Sequence, residues 1–312
     1  MLHRENILHF FKENQVSDFE GHIAIKSDVH GPKIIVIGGT HGNEPAGVEA
    51  IFHVFNRLHG KKALVMGEIQ FILGNPSAYK DDVRYLDYDL NRAFRRDGNE
   101  HYDTQAYEIQ RSYEIMEILE KAEPFDLLID LHSVSRGDEK ILIYGKSQLN
   151  SRDFVSKLEF PFPHLVYDRD FLSGLLIEKA YERGALAFAV ECGNHNSKFA
   201  HFVAEEIIQR SLMVFDMVDP DEIQANEFEA AGHTIIHDDH RYVIIDKIIP
   251  GDGFKFILSE EDTVIFLAKD QVYAQDEKRL YKAPEDCYLL MAAKNVKPSD
   301  VDAGFLCHRY KL

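Results

Sequence analysis

Three segments of the sequence each carry an apolar run into residues that bind metals or move protons. In IIVIGGTHGNEPAG the run ends in paired glycines, after which His41 and Glu44 stand three residues apart. If the turn that follows is helical, positions i and i+3 share a face, and an imidazole and a carboxylate can converge on one cation. The glycines and Pro45 suit a sharp strand-to-helix turn. A lone H-x-x-E would read as a turn followed by a helix-starting glutamate. Two other segments change that reading: FDLLIDLHS runs an apolar strand straight into His132, and ALAFAVECG ends the same way at Glu191. Ligands of open α/β sheets bind outside the carboxyl ends of strands, so three strands would bring two histidines and two glutamates to one edge. Two imidazoles, one carboxylate and an open water position describe a catalytic zinc site with one ion per chain, since a closed structural site usually takes four protein ligands. His41, Glu44 and His132 are the expected ligands, and Glu191 is left for the role of general base.

A fourth segment, DDVRYLDYDLNRAFRR, supplies cations at Arg84, Arg92, Arg95 and Arg96, with Asn91 among them. Arg95 and Arg96 read equally well as solvated loop charges. Asn91 and Arg92 are better placed for recognition, because a planar guanidinium beside an amide suits a substrate carboxylate held through two bonds. The need for such a cluster follows from the formal charge of −18, from 53 acidic against 35 basic residues. A field of that sign repels nucleic acids and anionic membranes, so neither is an expected partner, and an anionic substrate must be captured by local arginines.

The elements that would position these groups form two regions. Apolar, β-branched runs at His22 to Ile25, Ile34 to Ile37, Ile69 to Leu73, Phe125 to Leu131, Ile141 to Tyr144 and Ala185 to Val190 read as strands. Helical stripes fall at Glu5 to Gln15, Pro45 to Leu58, Thr104 to Ala122, Leu172 to Arg183 and Ala200 to Met217. Such alternation predicts an α/β fold, a mostly parallel mixed sheet covered by helices on both faces. From about Asp219 the acidic stretch DPDEIQANEFE reads as a linker, and HRYVIIDKIIPG, FKFILS, DTVIFLAK and CYLLMAA follow as short strands. The expected organisation is a catalytic domain over residues 1–221 and a smaller β-rich C-terminal domain over 222–312. Three cysteines without a C-x-x-C pair argue against a disulfide framework. No run approaches the roughly 18 apolar residues of a membrane span, and the polar N-terminus lacks the pattern of a signal peptide. The expected compartment is the cytoplasm.

The ordered set HGNEPAGVEA, ILGNP, VRYLDYDLNRAF, DLHS and AVECG, spanning roughly residues 34 to 195, resembles the succinylglutamate desuccinylase/aspartoacylase family of zinc carboxypeptidase-like hydrolases. The resemblance implies that His41, Glu44 and His132 bind zinc, that Glu191 activates the metal-bound water and that Arg84 polarises the scissile carbonyl. It implies that Asn91 and Arg92 hold the free carboxylate of an N-acylated amino acid, with the C-terminal domain narrowing the entrance against peptides. The segment EKAYERGALAFAVE offers no placed counterpart of the Tyr and Arg that aspartoacylases carry before the catalytic Glu. Arg136, in DLHSVSRGDEK, is similar to an Arg of the desuccinylase branch, which favours a succinylated, acidic substrate over an acetylated one.

Other residues invite different readings. Cys192 adjoins Glu191, but a cysteine at the end of a strand more often packs as a small hydrophobe than acts as a nucleophile. His195 belongs near the site, in contact with substrate or on the loop surface. His233, His237 and His240 could form a second metal cluster but lack a convincing ligand spacing, and Ser133 lacks a nucleophile-elbow context. A metallocarboxypeptidase acting on small peptides would use the same ligands, and a non-catalytic binding module would follow from the loss of a ligand. The sequence is compatible with a homo-oligomer.

Overall fold

The computed structural model describes residues 3–95, 104–135, 137–138, 140–160, 162–168, 174–219, 240–258, 264–293, 296 and 302–311. The predicted linker, Arg96, Arg136, His233 and His237 fall outside them, apart from Asp219. The chain begins with helix α1 (Arg4–Glu13) and strand β1 (His22–Lys26), then enters β2 (Lys33–Gly38), α2 (Pro45–Lys61), β3 (Glu68–Leu73) and α3 (Pro76–Asp81). A 3-10 turn at Leu90–Arg92 precedes α4 (Tyr107–Ala122), β4 (Leu127–Val134), β5 (Lys140–Gly145) and α5 (Leu149–Lys157). Then come β6 (His164–Tyr167), α6 (Leu176–Glu182), β7 (Leu186–Asn194) and α7 (Ala200–Val214).

These strands join the C-terminal β8 (His240–Lys247), β10 (Val264–Leu267), β13 (Cys287–Leu290) and β14 (Phe305–Lys311) in one sheet of eleven described strands, ordered β1-β3-β2-β4-β7-β5-β6-β8-β14-β13-β10. The centre, from β3 through β2 and β4 to β7, is parallel. β1 is antiparallel on β3, and β5 is antiparallel on β7, so the sheet is mixed as the sequence predicts. The C-terminal strands extend the central sheet directly, because β8 pairs in parallel with β6. A separate three-stranded sheet, β9 (Lys255–Phe256), β11 (Val272–Gln275) and β12 (Leu280–Lys282), lies in the same region.

The apolar character of β2 and β4 follows from their position: each is buried on both faces, which a strand covered by helices on both sides requires. Ile34, Val36, Leu127, Ile129 and Leu131 face a core shared with α1, α2, α5 and α7. Ile35, Ile37 and Leu128 face the opposite core, shared with α4 and α6. Strand alternation then assigns the polar residues. Asp130 and His132 have the parity of Leu128, so they face the α4 and α6 side, and Glu191 on β7 has the parity of Ala187 and Ala189 in that core. Helix α2 lies close to the sheet, since a Cβ on Gly38 would come within 2.6 Å of the Gly47 carbonyl carbon. That close approach, with Pro45 at the first helical position, sets Glu44 as the N-cap of α2 beside the end of β2. Among the described residues no helix is long and apolar enough to cross a membrane.

Candidate active site

His41, Glu44 and His132 meet at the carboxyl edge of the sheet, each with one ligand atom within 4.8 Å of the others. All three side chains are buried. Glu44 lies at their centre. Its Oε1 is 2.8 Å from His41 Nδ1, and its Oε2 is 2.9 Å from His132 Nδ1 and accepts the Ser133 amide at 3.1 Å. The other nitrogen of each ring faces an outer carboxylate. His41 Nε2 is 3.0 Å from Asp89 Oδ1, and His132 Nε2 is 3.0 Å from Asp130 Oδ2. Asp130 is itself oriented by Thr40, whose hydroxyl donates to its Oδ1 at 2.7 Å.

This pattern fixes the chemistry of the site. With His41 Nε2 against Asp89 and His132 Nε2 beside Asp130 and Asn91, both Nδ1 atoms point at the Glu44 carboxylate, and either protons or a cation must lie between them. Without a cation, burial disfavours the charged forms, yet the carboxylates prevail: Asp130 and Glu44 hold His132 well above the ordinary imidazole range. Glu44 and Asp89 raise His41 against burial and the Arg84 charge. Burial would raise the Glu44 carboxyl, but the two imidazoles keep it well below the usual carboxylate range. A buried anion between two basic rings is a site where metal can replace protons, and the donor set of two imidazoles and a carboxylate suits zinc.

Glu191 lies beside this set, paired in register with His132 across β4 and β7. Burial and the Glu44 charge push its carboxyl up to about 7. Its Oε2 is buried and has no hydrogen-bond partner among the described residues, which leaves an acceptor free at the centre of the site. Next to it, Cys192 is fully buried, and burial pushes its thiol well above the usual range, so it packs as a small hydrophobe. Ser133 Oγ is 2.9 Å from His195 Nδ1, which ties the loop after β7 to the site, and burial lowers the pKa of that imidazole.

The cationic segment wraps the same edge. Arg84 Nη1 lies 3.4 Å from Glu44 Oε1 and Nη2 lies 3.1 Å from Asp89 Oδ2, while 46% of the side chain remains exposed. Asn91 Nδ2 is 3.4 Å from His132 Nε2, and its Oδ1 accepts the Leu176 amide at 3.3 Å. Arg92 donates to Asp302 Oδ2 at 2.9 Å and to the Asn91 carbonyl at 2.9 Å. Asp302 comes from the C-terminal region, so a protein carboxylate already occupies one arm of that guanidinium. Four acidic residues here carry roles that the sequence analysis does not assign: Asp89, Asp130, Glu108 and Asp302. Glu108 is fully buried in α4 and accepts the backbone amides of Leu86, Asp87 and Tyr88 at 2.7, 3.0 and 3.1 Å. It therefore shapes the loop between Arg84 and Asn91. Arg136 lies outside the described residues, and His240 opens β8 in the C-terminal region.

The succinylglutamate desuccinylase/aspartoacylase catalytic domain matches residues 30–219, well over half of the chain. The chain belongs to this family. A probable aspartoacylase from Prochlorococcus marinus is 33% identical over 157 residues, 47% of this chain and 50% of that relative. The match thus spans about half the length of the curated relative. The structure is similar to succinylglutamate desuccinylase from Vibrio parahaemolyticus, with TM-score 0.70 and 18% identity over 94% of this chain and 87% of the other. It is also similar to murine aminoacylase 3, with TM-score 0.62 and 18% identity over 92% and 98% of the two chains. At these identities the two structures establish the fold shared with the family.

Proposed function

We propose that the protein is a zinc-dependent amidohydrolase that removes an acyl group, succinyl or acetyl, from an N-acylated acidic amino acid. The observation that carries this reading is the buried His41–Glu44–His132 set beside Glu191, whose free oxygen and near-neutral carboxyl suit proton transfer. His41, Glu44 and His132 would hold one zinc ion, which would supply a Lewis acid able to bring the pKa of water to about 7. Asp89 against His41 Nε2 and Asp130 beside His132 Nε2 support an orientation that turns each Nδ1 inward. Glu191 accepts the proton of the attacking water and passes it to the leaving amine.

Arg84, part-exposed and anchored by Asp89, directs its guanidinium at the scissile carbonyl, where a donor matters most as negative charge develops on oxygen. Asn91 and Arg92 hold the free carboxylate of the amino acid, and Arg136 contributes to recognition of the acyl end. Residues 222–312 form the smaller domain that caps the entrance, a role supported by Asp302 reaching Arg92. Three free, buried cysteines support a cytoplasmic location.

The test is a hydrolysis screen of N-acetyl-, N-succinyl- and N-formyl-amino acids, together with dipeptides, in the presence of zinc. Turnover of an acidic N-acyl amino acid is the expected result. Cleavage of dipeptides alone would replace this reading with a metallocarboxypeptidase, and no turnover of any member with zinc bound would remove it.

A further inference from the structure

A second cluster of metal-binding groups lies away from the site, where α2 packs against α7. His53, His201 and Glu205 each place one ligand atom within 4.8 Å of the others. The helices supply them by spacing. His201 and Glu205 are one turn apart on α7, at i and i+4, and Glu49, His53 and Arg57 repeat that step on α2. The helices run in the same direction, because β2, β4 and β7 are parallel and each helix returns over its strand. His53 therefore faces His201, with ring centroids 5.5 Å apart and planes inclined by 26°, and one turn later Arg57 donates to Glu205 Oε2 at 3.0 Å.

Each group in the cluster is set for a cation. Among the described residues no hydrogen bond is made to a ring nitrogen of His53 or His201. Glu205 is almost fully buried, and the Arg57 guanidinium holds its Oε2 at 3.0 Å, which orients the carboxylate beside the two rings. Glu49, also buried, brings a second carboxylate to 3.8 Å from His201 Nδ1. Two imidazoles facing each other beside carboxylates form a donor set of the kind that a divalent transition metal takes together.

We propose that His53, His201 and Glu205 bind a divalent transition-metal ion, with Glu49 as an additional carboxylate donor, in a structural site that joins α2 to α7. The position gives the ion a purpose. α2 begins at Glu44, and α7 follows the strand that carries Glu191, so a bond between the helices fixes two elements that frame the catalytic edge. The inference stands independently of the hydrolase reading.

The experiment is zinc stoichiometry on the full chain, measured by elemental analysis after equilibration with excess Zn2+ and gel filtration. Wild type should retain two equivalents, His132→Ala one, and the His53→Gln/His201→Gln variant one, with its hydrolytic activity preserved. Combining all three substitutions should leave none. If the double variant fails to fold, His53→Gln alone, at a half-buried position, should still lose one equivalent. A single equivalent in wild type, or two retained after loss of His53, would overturn the proposal. Two equivalents in a protein that hydrolyses nothing in the screen would support this site and count only against the proposed activity.

Discussion

Replacing Asp130 by Asn tests whether the outer carboxylates make the histidines into metal ligands. The carboxylate is 1% exposed, lies 3.0 Å from His132 Nε2 and is itself held by Thr40 at 2.7 Å. An asparagine can keep both contacts by turning its oxygen to the imidazole and its amide to the threonine hydroxyl, so the shape survives and only the charge is lost. Partners of this kind are worth about 10- to 100-fold in metal affinity, or about 1.4 to 2.8 kcal/mol. Asp130→Asn should fall near the lower bound. Asp130→Ala should approach the upper one, since it removes the charge beside His132 and leaves the buried Thr40 hydroxyl without its acceptor. Asp89→Asn should exceed Asp130→Asn, because Asp89 also anchors Arg84 at 3.1 Å, and an unneutralised guanidinium would then stand beside the metal. Competition against a chromophoric chelator measures each affinity, and activity should return at saturating zinc. Unchanged affinity in Asp130→Ala would refute the reasoning, as would a larger loss in Asp130→Asn than in Asp89→Asn.

Three further outcomes follow from the same geometry. Glu191→Gln should lower kcat roughly 100-fold or more with zinc content unchanged, and loss of zinc along with activity would make Glu191 a ligand instead of a base. Arg92→Ala should act mainly on KM, and Arg84→Ala mainly on kcat, because a substrate carboxylate exists throughout the reaction while charge on the carbonyl oxygen develops near the transition state; equal effects on both constants would erase that division of labour. Burial lowers His201 from 6.5 to about 4, so in the metal-free protein its neutral form contributes stability that is complete above pH 6.5 and is lost as pH falls towards 4. Denaturant melts should therefore show wild type weakening more steeply than His201→Gln across that window, and parallel curves would count against it.

Much of the site was legible because the fold turns sequence order into position. An uninterrupted apolar strand that ends in a polar residue points that residue at the carboxyl edge, and β2, β4 and β7 each carry this pattern into His41, His132 and Glu191. The strand β6 is not legible in the sequence because its four residues, HLVY, are too few to show a period, and the helices α3 and α5 are short as well. The outer carboxylates were harder to see for different reasons. Asp130 had a usable signal, an acid inside an apolar strand with the same parity as His132. Asp89 and Glu108 resembled ordinary charges on a loop and on a helix, and only the tertiary structure reveals that one holds a histidine and the other three backbone amides. Asp302 meets Arg92 across most of the length of the chain, a contact that no local pattern encodes.

That last contact bears on how so acidic a protein would capture an acidic substrate. Two of the arginines assigned to the site are paired already, Arg84 with Asp89 and Arg92 with Asp302. A zinc dication and two guanidiniums would stand among Glu44, Asp89, Asp130, Glu191 and Asp302, so the site would present little net positive charge to its surroundings. Opposite charges this close cancel beyond a Debye length of about 8 Å, which leaves a distant anion with only the negative field of the whole chain. On the proposed function, attraction would begin after entry, by exchange: the substrate carboxylate would take the arm of Arg92 that Asp302 holds, and one charge-assisted pair would replace another of the same kind. Such an exchange contributes little net affinity by itself. Its value lies in geometry, because a carboxylate can make it only when its amide reaches the His41–Glu44–His132 centre at the same time. Selectivity would then come from the fixed span between Arg92 and that centre, and a phosphate backbone or an anionic membrane, which cannot fit within that span, would gain nothing from the arginines.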